Sequence, residues 1–154
     1  MRGYFQIIAF VLLGLFTAGG LYAQIGDPTS WTYEAKKKSG NEYEFVFHLT
    51  LKEGWHIWSV TPGGDGTLIA PSFTFNKNDK IEVKGKIKQV GKMVTETMEG
   101  IEGKVNFYNG QVDYIQTLVV KGPTKITGKH EYQVCNAVMC LPPKDRDFSV
   151  EIGK

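Results

Sequence analysis

The feature that most limits what this chain can fold into is an alternation of period two. Tyr43, Phe45, Phe47, Leu49 and Leu51 interleave with Glu42, Glu44, Val46, His48, Thr50 and Lys52. Successive side chains of a strand point to opposite faces, so the pattern predicts a strand with one buried face. Similar short runs recur at Trp31–Lys37, Trp55–Val60, Ser72–Phe75, Ile81–Val90, Val105–Tyr108, Val112–Val120, Lys125–Val134 and Phe148–Ile152. Turn-forming residues separate them: Ser39-Gly40, Glu53-Gly54, Pro62 to Gly66, Asn76 to Asp79, Asn109-Gly110, Gly122-Pro123 and Pro142-Pro143. Asn109-Gly110 predicts a tight hairpin, because both residue types tolerate the positive φ of such a turn. After the first 23 residues no window sustains a helical stripe. About eight strands at this spacing predict an all-β fold, an immunoglobulin-like antiparallel β-sandwich. Two stretches fit the pattern poorly: the glycine-rich Pro62 to Gly66, read as a turn, and Met93 to Gly103, read as a loop lying over something.

The N-terminus has a different character. Arg2 precedes an unbroken apolar run from Ile7 to Phe16, and small residues follow before Leu21-Tyr22-Ala23-Gln24. That order is the signature of an export signal, and it predicts residues 1–23 as a signal peptide and 24–154 as the mature domain. The run is shorter than the roughly 20 residues that span a membrane comfortably. No later stretch is long and apolar enough to cross, so no stable membrane insertion is expected after cleavage. Loss of Arg2 would leave 17 basic against 16 acidic residues, a balance that gives no electrostatic case for nucleic acid or an anionic surface. Lys36-Lys37-Lys38 beside Ser39-Gly40-Asn41 reads as a solvated turn.

Export gives the two cysteines their weight, because disulfides persist in oxidising compartments. Cys135 and Cys140 stand in Tyr132-Gln-Val-Cys-Asn-Ala-Val-Met-Cys-Leu-Pro-Pro143, after a strand-like run and before two prolines that end a ladder. The sulfurs are expected near one end of a hairpin between the last two strands. Closing so short a loop removes little unfolded-state entropy, on the order of 2 kcal/mol. A pair that opens without dismantling a core suits thiol–disulfide exchange, in which a thiolate attacks a disulfide and a second thiol resolves the mixed disulfide. A structural staple explains the same residues equally well. No Lys, Arg or His lies between the cysteines to stabilise a thiolate; Lys144 and Arg146 follow, with surface solubility as their simpler role.

Other chemistries find less support. Met139 adjoins Cys140, but His48, His56 and His130 are scattered and no His follows Cys135, so neither a copper nor a zinc site is expected, and no cofactor is predicted. Glu96, Glu99 and Glu102 are spaced by threes in a presumed loop, without other signs of carboxylate hydrolysis. The rival to exchange is a non-catalytic secreted sandwich with a structural disulfide, binding a partner through aromatics such as Trp55, Trp58, Tyr108 or Tyr114.

At the cysteine segment the chain resembles the N-terminal periplasmic domain of the thiol:disulfide interchange protein DsbD. Tyr132-Gln133, Cys135, Cys140, Leu141-Pro142-Pro143 and Phe148-Ser149-Val150 carry the resemblance, with Gly54-Trp55-His56-Ile57-Trp58-Ser59 resembling that family's aromatic strand. It extends over roughly Trp31 to Ile152. The best-known members hold one more residue between their cysteines. The resemblance implies a redox-active Cys135/Cys140 pair in the periplasm, and reductant delivered from a membrane electron conduit through a thioredoxin-like domain. It implies thioredoxin-fold acceptors, such as a disulfide isomerase or a cytochrome c maturation factor. The conduit and the thioredoxin-like domain have no counterpart in these residues, so both are expected as separate chains. By order along the chain the resemblance also implies a cap loop at Thr95 to Gly103, with Met98 or Ile101 as its apolar lid.

Overall fold

The computed structural model describes residues 26–153; the expected signal, residues 1–23, lies outside them. All regular structure in that range is β. The strands are β1 (Thr29–Ser39), β2 (Glu42–Leu51), β3 (His56–Gly63), β4 (Ser72–Phe75), β5 (Ile81–Thr97), β6 (Lys104–Val120), β7 (Thr124–Tyr132), β8 (Val134–Cys135) and β9 (Lys144–Ile152). They form two antiparallel sheets. Sheet A runs β1-β2-β6-β3-β8, with β5 also paired to β6, and sheet B runs β4-β7-β9. The expected immunoglobulin-like sandwich is what the chain folds into. No helix among the described residues is long and apolar enough to cross a membrane.

The period-two pattern builds the core as expected. Phe45, Phe47, Leu49 and Leu51 of β2 are buried with Trp31, Tyr114 and Leu118 of sheet A against Ile126, Tyr132, Phe148 and Ile152 of sheet B. The rings interlock: Phe47 lies 4.6 Å from Phe73 and 4.9 Å from Phe148 between centroids. On the outer face of sheet A, His48 is held between Glu34 at 2.6 Å and Asp113 at 2.7 Å. Lys36 and Lys38 are strand residues rather than a turn, and they pair with Glu34 and Glu44.

Three further expectations need correction. Asn109-Gly110 is not a hairpin turn. The two runs around it are one strand, β6, whose one edge is shared: β2 takes Gln111–Thr50 through to Val119–Glu42, and β3 takes Asn109–His56 through to Val105–Gly63. The pair marks the handover between these partners, where Gly110 has φ of 72° and the register against β5 shifts. A residue of positive φ serves a bulge as readily as a turn. Met93 to Thr97 is likewise strand, the end of β5, so only residues 98–103 form the connecting loop. Third, Trp58, Tyr108 and Tyr114 are buried and available to no partner.

One core residue is a histidine. His130 is fully enclosed, its ring 4.3 Å from Trp31 and 5.5 Å from Tyr132, with Nε2 2.9 Å from the Tyr33 hydroxyl. Burial, and then the nearby Arg146 charge, push its imidazole pKa down to about 4. An unfolded histidine titrates near pH 6.5, so between those values the unfolded chain binds a proton that the folded one refuses. The stabilisation is therefore complete above about pH 6.5 and is lost as pH falls. We expect it to cost on the order of 3 kcal/mol between pH 7 and 4. His130→Phe should remove most of that acid sensitivity, read as the difference between urea midpoints at the two pH values.

Candidate redox site

The cysteines are placed by a strand that changes sheets. β7 ends in sheet B at Tyr132, Gln133 is unpaired, and β8 enters sheet A, where Val134 faces Ile57 and Cys135 faces His56. Val134 turns into the main core with Ile57, and alternation then sends Cys135 to the opposite, outer face. The chain reverses in four residues. Asn136 N–H donates to the Met139 carbonyl, and the Asn136 side-chain oxygen accepts from Val138 and Met139 N–H, each at 2.8 Å. Leu141 N–H donates to the Val134 carbonyl, and Gln133 Nε2 donates to the Leu141 carbonyl. Cys135 and Cys140 thus face each other across a miniature hairpin, disulfide-bonded, with Cα atoms 3.9 Å apart. Pro142-Pro143 supply no N–H and stop the ladder before β9 returns to sheet B.

The two sulfurs have opposite surroundings. Cys135 is 2 % exposed and belongs to a small cluster with Trp58, Val105 and Phe107 on the outer face of sheet A. Cys140 is exposed on the turn, beside Val138, which is 90 % exposed, and Met139. Leu68, Val94, Met98 and Ile101 pack against the Cys135 cluster. Both stretches that fitted the strand pattern poorly therefore meet here. The Gly63-Gly64 backbone, at positive φ, lies against the β5–β6 connection: Gly64 N–H donates to the Lys104 carbonyl. A Cβ at Gly64 would stand 3.0 Å from Ile101 Cγ2 and 3.3 Å from Val105 Cγ1. Met98 and Ile101, singled out as lid residues, are both brought to the cluster.

In the sequence His56 is weighed only as a metal ligand and as part of the aromatic strand, yet it stands directly opposite Cys135. Its ring contacts Trp58 and Phe107 at 4.9 Å each. It lines a groove of about 730 Å³ together with Met98, Phe107 and, from the turn between the cysteines, Ala137. Burial lowers the His56 imidazole below its ordinary value. Alternation gives the face on which His56 lies; only the β3–β8 pairing gives its neighbour.

A polar clasp holds the roots of this excursion. Asp27 accepts from Thr29, from the Tyr132 hydroxyl at 2.9 Å and from Arg146 at 2.9 Å, with Lys144 at 3.4 Å. Burial opposes ionisation of Asp27, but these hydrogen bonds outweigh it and hold the carboxyl well below the usual carboxylate range. Lys144 and Arg146 are thus engaged by the clasp rather than free solubilising charges.

Residues 26–152 match the sequence model of the family described as the N-terminal domain of the thiol:disulfide interchange protein DsbD. The chain belongs to the DsbD N-terminal family. Its fold is similar to the N-terminal periplasmic domain of ScsB from Proteus mirabilis, at 18 % identity and a TM-score of 0.63. That likeness covers 87 % of this chain and 50 % of the ScsB chain, so the protein spans half the length of that relative. It is also similar to the reduced Neisseria meningitidis DsbD N-terminal domain, at 15 % identity and a TM-score of 0.53, covering 80 % of this chain and 86 % of that one. No curated protein matches the sequence. Membership in the DsbD N-terminal family supports a role for the domain in thiol–disulfide exchange.

Proposed function

We propose that Cys135 and Cys140 are the redox centre of this module, with Cys140 as the sulfur that partners meet. The observation that carries the reading is the asymmetry of the pair: one cysteine exposed on a tight turn, its partner buried among apolar side chains. Exchange proceeds in two balanced steps. The thiolate of an incoming dithiol attacks Cys140 Sγ; the Cys135–Cys140 bond breaks and Cys135 leaves as a thiolate that takes up a proton. The second thiol of the partner then attacks the partner's own sulfur in the mixed disulfide and releases Cys140. The partner is oxidised by two electrons and the pair is reduced. Transfer onward runs the same steps in reverse.

The donor in this reading is a thioredoxin-like domain fed by a membrane electron conduit, both on separate chains, and the acceptors are thioredoxin-fold proteins. Cytochrome c maturation is one pathway that such acceptors serve. Residues 1–23 export the chain and the mature domain works in the periplasm, as expected for a relative of periplasmic domains. Met98 and Ile101 form the apolar lid over Cys135; their packing against its cluster supports that role. The test is equilibration of the pair against a dithiothreitol or glutathione buffer. We expect a reduction potential well above the roughly −300 mV below which inert structural bridges fall. A value below that limit would reduce the bridge to a staple and sink the reading.

A further inference from the structure

Burying one sulfur of an exchange pair creates a chemical problem. The reduced Cys135 thiol stands among Trp58, Val105 and Phe107, and apolar surroundings raise a thiol's pKa. Only the thiolate attacks, so resolving a mixed disulfide at Cys140 requires a proton to leave a thiol shielded from water. Among the described residues, His56 is a base on the same side of the sheet as that thiol. His56 is the direct cross-strand partner of Cys135, and facing residues of an antiparallel pair project to the same side of the sheet. The imidazole and the sulfur therefore share the outer face of sheet A. His56 Nε2 is shielded from solvent and has no hydrogen-bond partner while the bridge is closed. A buried polar atom left without a partner is costly and calls for an explanation. A closed disulfide has no S–H to offer this nitrogen; an opened one does.

We propose that His56 Nε2 is the general base that takes the Cys135 thiol proton as Cys135 resolves the mixed disulfide at Cys140. The inference rests on the redox reading of the pair given above. In the step, the proton passes from Cys135 Sγ to His56 Nε2 and the thiolate attacks Cys140 Sγ. The Cys135–Cys140 bond forms, the bond from Cys140 to the partner sulfur breaks, and that sulfur leaves with the electron pair as a thiolate. The imidazolium then gives its proton to the departing thiolate or to solvent. The pair is oxidised by two electrons and the partner disulfide is reduced. In the reverse direction the same nitrogen returns the proton to Cys135.

The surroundings suit a base. Burial keeps the imidazole less basic than usual, hence neutral and able to accept at neutral pH. The charged groups that share its groove are Lys52, Glu53 and Glu96; Val94 from β5, Phe107 from β6 and Ala137 from the turn bring none.

The test uses the reduced protein mixed with 5,5′-dithiobis(2-nitrobenzoate) in a stopped-flow instrument. Attack by Cys140 releases the first coloured thiolate, and closure by Cys135 releases the second. In His56→Phe and His56→Gln the second phase should slow about a hundredfold at pH 7, the lower end of what general bases supply, while the first stays within about twofold. The wild-type second phase should gain rate through a titration below about pH 6.5 that both variants lack. His56→Gln decides the matter if the phenylalanine variant does not fold. An unchanged second phase in it overturns the proposal, as does equal slowing of both phases, which would report packing alone. Release of neither equivalent by the wild type overturns the redox reading together with this one.

Discussion

Cys135→Ser is expected to turn the domain into a trap. When the reduced variant meets a thioredoxin-fold protein that keeps only its attacking cysteine, held as a mixed disulfide with 2-nitro-5-thiobenzoate, Cys140 attacks, the nitrothiobenzoate leaves as a thiolate, and no second thiol remains on either chain to release the adduct. The mixed disulfide should accumulate to most of the protein present, seen as a shifted band without reductant. Cys140→Ser should trap on the order of tenfold less, because its remaining thiol is the one buried against Trp58, Val105 and Phe107, and exchange depends on access to the attacking sulfur. The contrast between the two variants matters more than either yield. Equal trapping would mean that exposure in the closed state does not select the attacking sulfur, and the assignment of Cys140 would fail.

The second large effect lies in sheet B. Gly128 sits in the middle of β7, paired with Phe75 on one side and Phe148 on the other. It is there because nothing larger fits. A Cβ would stand 2.1 Å from the Thr74 carbonyl oxygen and 2.4 Å from Phe148 Cζ, which folds over the bare backbone. The Thr74 oxygen is main chain and cannot swing aside. Gly128→Ala should therefore cost about 3 kcal/mol or more, at or above the upper end of ordinary overpacking, despite the alanine's better chain entropy. Urea unfolding measures it. A loss under about 1 kcal/mol would mean that β4 moves away from β7 at little cost.

Much of this architecture can be read from residue order alone. Alternation finds a strand wherever one face is buried and the other wet, as at Phe45-Val46-Phe47-His48-Leu49. It underestimates strands such as β5, an edge strand beside β6 whose side chains are mostly exposed and so leave little pattern. Asn109-Gly110 misleads for a related reason. Local chemistry states that the backbone can take positive φ there, and only the identity of the neighbours decides between a reversal and a bulge. At the candidate site the pattern is similar. Cysteine spacing and the two prolines mark the segment, and the family resemblance, followed in chain order, implies Met98 or Ile101 as the lid. The unequal exposure of the two cysteines is invisible in the sequence, because it depends on the chain leaving sheet B after β7 and joining sheet A at β8. For the same reason His56, 79 positions before Cys135, carries no sign of being its neighbour.

That crossing at Gln133 also decides what oxidation does to the rest of the molecule. The hairpin that carries the sulfurs is bonded to one layer of the sandwich, while the strands it interrupts belong to the other and are anchored by Asp27. Opening the bridge releases almost no chain, since Asn136, Gln133 and Val134 already hold the bend by hydrogen bonds of their own. The bend that carries the cysteines therefore has a framework of its own, independent of the bond between them.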